Sequence, residues 1–240
     1  MNPAPRKNIR AVIALLKRKG YKINERPNEL NIVGVRKDTT IPNQFDDRMY
    51  VFWKDDKNKW EGKFYTITTD PGTYWLDNPM MPQGTAILKE GQYVDSHKIR
   101  LHDGRYEALG QEGPVTVIRD YDRDAVLDFN NGREETGSRF GINIHRAKKS
   151  GTTQTIDKYS AGCQVFSNAD DFEDFMKLAR KDRDLYGNKF TYTLIDERAY
   201  NRTLKRRTLY VVGGVLITVA GWSLVRAMSD KSILPKFTKN

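Results

Sequence analysis

The sequence predicts a mainly β domain of the α+β class, with a few helices and one C-terminal transmembrane helix. Short runs of β-branched and aromatic residues recur between residues 21 and 197, separated by Gly, Pro, Asn and Asp clusters. Two stretches show helical periodicity, and residues 208–225 are an uncharged run of 18 residues. The length of 240 residues, with 38% hydrophobic and 30% charged residues, suits one folded domain plus terminal extensions.

The N-terminal segment, residues 1–20, is predicted to be an amphipathic helix. Its apolar residues recur at helical spacing, and Gly20 provides a stop signal. These apolar residues are Ile9, Val12, Ile13 and Leu16. We expect the stripe to pack against the domain; the alternative is that the basic face of the helix lies on a membrane.

Residues 21–197 form the predicted folded domain, which is rich in strands. The predicted strands are residues 30–35, 49–53, 63–68, 85–88, 98–101, 115–119, 141–145 and 190–195. A helix begins after Ser167 or Asn168, either of which can cap it, and Phe172 and Phe175 belong to its apolar stripe.

Residues 208–225 predict a single membrane span. A helix of 18 residues covers about 27 Å, close to the thickness of the bilayer core. Basic residues bracket both ends, so their distribution does not orient the span. A buried core helix is the alternative. Residues 198–207 are then a basic linker and residues 226–240 a basic tail.

The predicted span has two consequences. A domain followed by one late span is a single-pass membrane protein with a C-terminal anchor, so a lipid membrane is an expected partner. Gly214 and Thr218 form a small-xxx-small pair, which indicates a homodimer through the transmembrane helix.

The net charge of +10 resides at the termini. Residues 1–20 carry +6 and residues 198–240 carry +8, which leaves −4 for the domain between them. Nucleic-acid binding proteins more often carry a basic face on the folded domain, so we expect no nucleic-acid partner. One cysteine and three histidines without paired-ligand spacing predict no metal site, and we expect no cofactor.

The single cysteine, Cys163, is the candidate nucleophile. Ala161 and Gly162 precede it and leave room for a substrate backbone near the sulfur. A glycine beside the nucleophile also leaves the N–H groups of Gly162 and Cys163 able to face a developing oxyanion. The alternative is a small buried hydrophobic residue, which is the common fate of a free cysteine.

His145 is the candidate base, because it ends a predicted strand 18 positions before Cys163. The thiolate is the reactive form of cysteine, and an imidazole nearby favours its formation. His97 and His102 remain alternative bases, although neither lies in a comparable sequence setting.

These residues resemble the L,D-transpeptidase (YkuD-like) catalytic domain over about residues 50–195. His145 matches the histidine at the end of a strand, and the Ser160, Gly162 and Cys163 positions match the family's Ser/Thr-His-Gly-Cys motif. Residues 65–72 and 81–88 are similar to an earlier segment of the family, in which a strand precedes a Pro-x-Gly-Thr turn. The chain departs from the family at Ala161, which stands where the family has its second histidine.

The resemblance implies a β-sandwich or barrel and a thioester formed on Cys163 with a peptidoglycan stem peptide. The expected activity is that of an L,D-transpeptidase, carboxypeptidase or endopeptidase. Four neighbouring residues are expected to bind substrate or support the site; they are Ser160, Arg146, Tyr159 and Gln164. Arg146 either engages a substrate carboxylate or is a solvated loop charge, and Ser160 either steadies the loop or His145, or makes an ordinary turn.

Two alternatives to this activity stay open. One is an inactive membrane-anchored structural or wall-binding protein, because Ala161 removes a hydrogen-bonding group beside the nucleophile. The other is a cysteine peptidase that cleaves proteins. A late anchor on a wall enzyme fits a bacterial envelope protein or a lytic enzyme in the membrane of a bacteriophage virion.

Overall fold

A computed structural model describes residues 3–129 and 132–203. The helices are α1 (Arg6–Arg18), α2 (Thr73–Asp77) and α3 (Ala169–Tyr186), and residues 197–203 are also helical. The strands are β1 (Asn31–Arg36), β2 (Asp47–Lys54), β3 (Trp60–Thr68), β4 (Thr85–Leu88), β5 (Gly91–His102), β6 (Tyr106–Gln111), β7 (Val115–Asp120), β8 (Glu134–Gly137), β9 (Ile144–Arg146), β10 (Gln164–Phe166) and β11 (Phe190–Asp196). The predicted mainly β class is confirmed.

Eight of these strands close into a barrel in the order β1-β11-β5-β6-β9-β10-β3-β2. Two neighbouring pairs, β1 with β11 and β9 with β10, run parallel, and the others are antiparallel. Closure removes the exposed strand edges that an open sheet would leave unpaired. A separate sheet of three strands has the order β4-β7-β8.

The main core combines residues of the barrel with the apolar stripe of α3. Phe172 and Phe175 of α3 are buried and contact Phe166 of β10, with ring centroids 5.5 and 5.1 Å apart. The helix begins where predicted, because the Asn168 side chain accepts hydrogen bonds from the N–H groups of Asp170 and Asp171.

Helix α1 packs against the domain, as expected from its apolar stripe. Ile9, Val12 and Leu15 are buried in a second cluster that includes Tyr50 and Phe52 of β2. Leu16, which was also predicted, belongs to the same buried cluster, whereas Ile13 is only half-buried.

Several elements were not predicted from the sequence. They are β6, β8, β10 and α2, and the predicted strand 141–145 is reduced to the three residues of β9. The unpredicted strands span between three and six residues, so a run of alternating residues is too short to identify them. Within the described residues, no helix is long and apolar enough to cross a membrane. The predicted span at 208–225 lies outside them.

The packing of α1 gives a first prediction. Leu15→Ala should lower the free energy of unfolding of the intact chain by about 2–5 kcal/mol, because it leaves a cavity beneath the helix. Lys17→Ala, at an exposed position of α1, should change that free energy by less than about 0.5 kcal/mol. Urea denaturation followed by circular dichroism measures both, and equal effects would contradict the packing.

Candidate active site

The parallel pair β9 and β10 positions the two candidate reactive residues. His145 is the register partner of Val165, and Cys163 lies two residues before Val165. Cys163 directly precedes β10. Extending the register back to it places the Cα atoms of His145 and Cys163 roughly 8 Å apart by ordinary strand dimensions.

A tight turn over residues 160–163 presents the cysteine. The buried Ser160 Oγ accepts a hydrogen bond from the Gly162 N–H at 3.1 Å and donates one to the Cys163 carbonyl at 2.9 Å. Ser160 therefore steadies the loop, which is one of the roles expected for it. Gly162 has φ of +116°, and a Cβ at this position would lie 2.0 Å from the carbonyl oxygen of Ala86.

The Cys163 thiol is partly exposed and neutral at rest. Its Sγ donates to the carbonyl oxygen of Gly141 at 3.2 Å. Burial of the sulfur raises the pKa of Cys163 to about 11, the Asp103 carboxylate raises it further, and the backbone amide of Asn143 opposes both. The thiol is therefore the dominant form at neutral pH, and it needs a base to react quickly.

His145 is buried, and its hydrogen bond fixes its tautomer. Nδ1 lies 2.9 Å from the carbonyl oxygen of Arg146. Because a carbonyl only accepts, Nδ1 carries the proton and Nε2 keeps its lone pair. Burial, followed by the neighbouring His102, lowers the pKa of His145 to about 4. The neutral imidazole is therefore the form present at neutral pH.

His102, one of the two alternative bases, stacks on His145. The two ring centroids lie 4.3 Å apart, with an interplanar angle of 18°. β5 brings His102 beside His145 from more than 40 positions away in the chain. His97, the other alternative base, is buried between Ser96 Oγ and the carbonyl of Ile142 and lies outside this stack.

A groove of about 320 Å³ lies beside the histidine stack. Its lining includes Arg100, His102, Asp103, Gly110 and Asn143. The Arg100 side chain lies across Gly110, where a Cβ would be 1.8 Å from its Nε. A side chain at position 110 would displace this guanidinium, so the glycine makes room for a positive charge in the groove.

The other predicted residues have different surroundings. The guanidinium of Arg146 packs over the ring of Tyr106, 4.2 Å from its centroid, instead of standing free in solvent. Gln164 is buried, and its Oε1 accepts a hydrogen bond of 2.7 Å from Tyr192 Oη inside the barrel. It therefore supports the strand after Cys163 from within the core. Tyr159 is half-buried beside the turn.

A larger cavity of about 630 Å³ lies elsewhere, between Arg36, Lys89 and Phe129. Its one buried cation, Arg36, is fully engaged by Thr69, by Asp70 and by the carbonyl oxygen of Leu88. The other guanidinium in its lining, Arg198, pairs with Asp196 and Asp38. Among the described residues, neither His145 nor Cys163 lines this cavity or the smaller groove.

Comparison with known proteins adds no relative: no family model, curated protein or solved structure matches this chain. In the part of the chain that the structure describes, no three His, Cys, Asp or Glu side chains are arranged to hold a metal ion.

The close approach of Gly162 to Ala86 gives a second prediction. Gly162→Ala should lower the free energy of unfolding by more than about 2 kcal/mol, because the new Cβ would collide with a backbone carbonyl. Gly141→Ala is the matched control. It also has a positive φ, of +72°, but nothing lies within 4 Å of the added atom, so about 1 kcal/mol is expected. Equal losses in urea denaturation would contradict the close contact.

Proposed function

We propose that this chain is a cysteine enzyme that acts on peptidoglycan stem peptides through a thioester on Cys163. The observation that carries the proposal is the β9–β10 register, which brings a histidine of fixed tautomer and the cysteine to the same seam of the barrel. His145 lies one diagonal step from Cys163 across β9 and β10, with its tautomer fixed so that Nε2 can accept a proton. A nucleophile beside an oriented base is the arrangement that acyl transfer needs.

The resting pair is neutral, so proton transfer accompanies attack. His145 Nε2 takes the proton from Cys163 Sγ as the sulfur attacks the carbonyl carbon of a peptide bond. The same proton then passes to the leaving amine, and the acyl group remains on sulfur. A second amine would complete a cross-link, whereas water would complete cleavage and release the acid.

The oxyanion would be held by the Cys163 N–H. Of the two donors expected from the sequence, the Gly162 N–H already donates to Ser160 Oγ. Among the described residues the Cys163 N–H has no acceptor, so it is free to face the developing charge. One such donor commonly contributes about 3 kcal/mol to stabilising the transition state.

The groove supports a peptide substrate that carries carboxylates. Arg100 lines it and forms no ion pair with a described residue, and a guanidinium can bind a carboxylate through two parallel hydrogen bonds. Stem peptides carry such groups. The assignment to peptidoglycan rests on the sequence resemblance, and the groove adds the charge that such a substrate would meet.

The proposal extends to location and origin. With a C-terminal anchor at residues 208–225, the enzyme would act at a bacterial envelope or in a bacteriophage virion membrane, as a single-pass protein able to pair through its span.

A second candidate is an inactive wall-binding scaffold of the same anchored form. The pKa of about 11 for Cys163 and its hydrogen bond to Gly141 favour this alternative, because both hold the sulfur as an unreactive thiol.

Digestion of purified sacculi separates the two candidates. The intact chain should change the muropeptide profile measured by mass spectrometry, and Cys163→Ala and His145→Ala should each reduce the change at least a hundredfold, since each removes one partner of the pair. Sacculus binding should survive in both variants. Ser138→Ala, an exposed position outside the turn, serves as the control. If none of the four proteins changes the muropeptide profile of the sacculi, and all four still bind the sacculi, the scaffold is favoured.

The pH profile tests the neutral resting pair. With the pKa of His145 lowered to about 4 and that of Cys163 raised to about 11, kcat/KM should be level between those values and fall below pH about 4, where the imidazole becomes protonated. His102→Ala exposes His145 and removes the neighbouring ring, so the acid limb should move upward toward pH 6.5. If kcat/KM of the unaltered chain already falls near pH 6.5, the assignment of a neutral His145 at lower pH is contradicted.

A further inference from the structure

Four aspartates follow one another closely where β7 ends. They are Asp120, Asp122, Asp124 and Asp128. Counted from Asp120, they occupy positions 1, 3, 5 and 9 of the loop. Positions 1, 3, 5 and 9 provide oxygen ligands in the calcium loop of EF-hands, and position 7, here Val126, provides a backbone carbonyl. The glycine at position 6 of that loop is Ala125 here.

Asp120 is the buried member, and one of its oxygens has no partner. The residue is fully buried, and its Oδ2 accepts the N–H of Asp128 at 3.1 Å, which directs the carboxylate into the loop. Among the described residues, no donor reaches Oδ1. A buried carboxylate oxygen without a donor is unfavourable, so a partner for it is expected.

The surroundings of Asp120 are negative. The carboxylates of Asp122, Asp124 and Asp128 belong to the same loop as the buried Asp120. Within the described ranges, neither Asp120, Asp122 nor Asp124 forms an ion pair. The adjacent guanidinium of Arg119 is directed to Glu135 and to the carbonyl of Gly84. The loop therefore concentrates negative charge around an unsatisfied buried oxygen.

We propose that residues 120–128 bind a divalent cation of the calcium class, with Asp120 Oδ1 as the buried ligand. Calcium accepts six to eight oxygen ligands in irregular geometry, whereas magnesium demands a near-ideal octahedron. Asp122 and Asp124 are exposed side chains that can turn inward. They must do so, because no three described carboxylates already converge on one point.

The ion would stabilise the sheet that supports the cysteine turn. Asp120 is the register partner of Thr85, and the next residue of β4, Ala86, packs its carbonyl against Gly162. The proposal nevertheless does not depend on the enzymatic one, because its test measures binding and unfolding alone.

Terbium luminescence and thermal unfolding test the site on the full chain. Terbium replaces calcium at oxygen sites, and excitation of Tyr121, between two of the proposed ligands, should sensitise its emission. Calcium should displace the terbium and, at a concentration on the order of 1 mM, raise the unfolding temperature relative to EDTA. Magnesium at the same concentration should raise the unfolding temperature much less than calcium does. An equal rise with both ions would contradict the assignment to the calcium class.

Variants make the result specific. Asp122→Asn with Asp124→Asn should raise the calcium concentration at half-saturation by about tenfold or more. Tyr121→Phe should abolish the emission and keep the rise in unfolding temperature. Asp55→Asn with Asp56→Asn alters another acidic turn and should change neither the terbium emission nor the rise in unfolding temperature with calcium. The proposal is overturned if calcium leaves the unfolding temperature unchanged, or if the Asp122 and Asp124 variant responds like the unaltered chain.

Discussion

The parallel pairing of β9 with β10 is the contact on which both the barrel and the candidate site depend. Each strand has three residues, and β9 is joined to β6 by a single register pair, Leu109 with Ile144. Asn143 reinforces this weak seam, since its side chain accepts the N–H of Gln111 and its carbonyl accepts the N–H of Gln164. Loss of this pairing would open the barrel and, at the same time, separate His145 from Cys163.

The alternation of side chains lets six strand residues serve two purposes. Ile144 and Phe166 belong to the main core, and Gln164 reaches Tyr192 inside the barrel. Because alternate residues point to opposite faces, His145 is presented on the other face, and Cys163 directly precedes β10. Burial of Ile144, Gln164 and Phe166 fixes the register of the two strands, because a slip of one residue would expose these core residues. The same register then fixes the position of His145. The packing of the core therefore determines the geometry of the proposed catalytic pair.

The sequence predicts those features that depend on neighbours along the chain. The stripe of α1, the Asn168 cap of α3 and the longer strands follow from local periodicity and capping. His145 and Cys163 were chosen from one stretch of sequence, and the structure pairs β9 with the strand that directly follows Cys163. Arg100 and the stacking of His102 on His145 were beyond such reasoning, because β5 reaches the site only when the barrel closes. The partner of Arg146, Tyr106, also lies on β6, a strand that the sequence did not predict.

The central claim is that a neutral thiol and a neutral imidazole form an acyl-transfer pair, and trapping the acyl-enzyme tests it most directly. The intact chain, mixed rapidly with a synthetic stem tetrapeptide and quenched in acid, should gain the mass of the acyl group on Cys163. Hydroxylamine should remove it, as it removes thioesters, and His145→Ala should slow its formation. A chain that never gains this mass, while its thiol is shown to be intact by alkylation after unfolding, would contradict the claim.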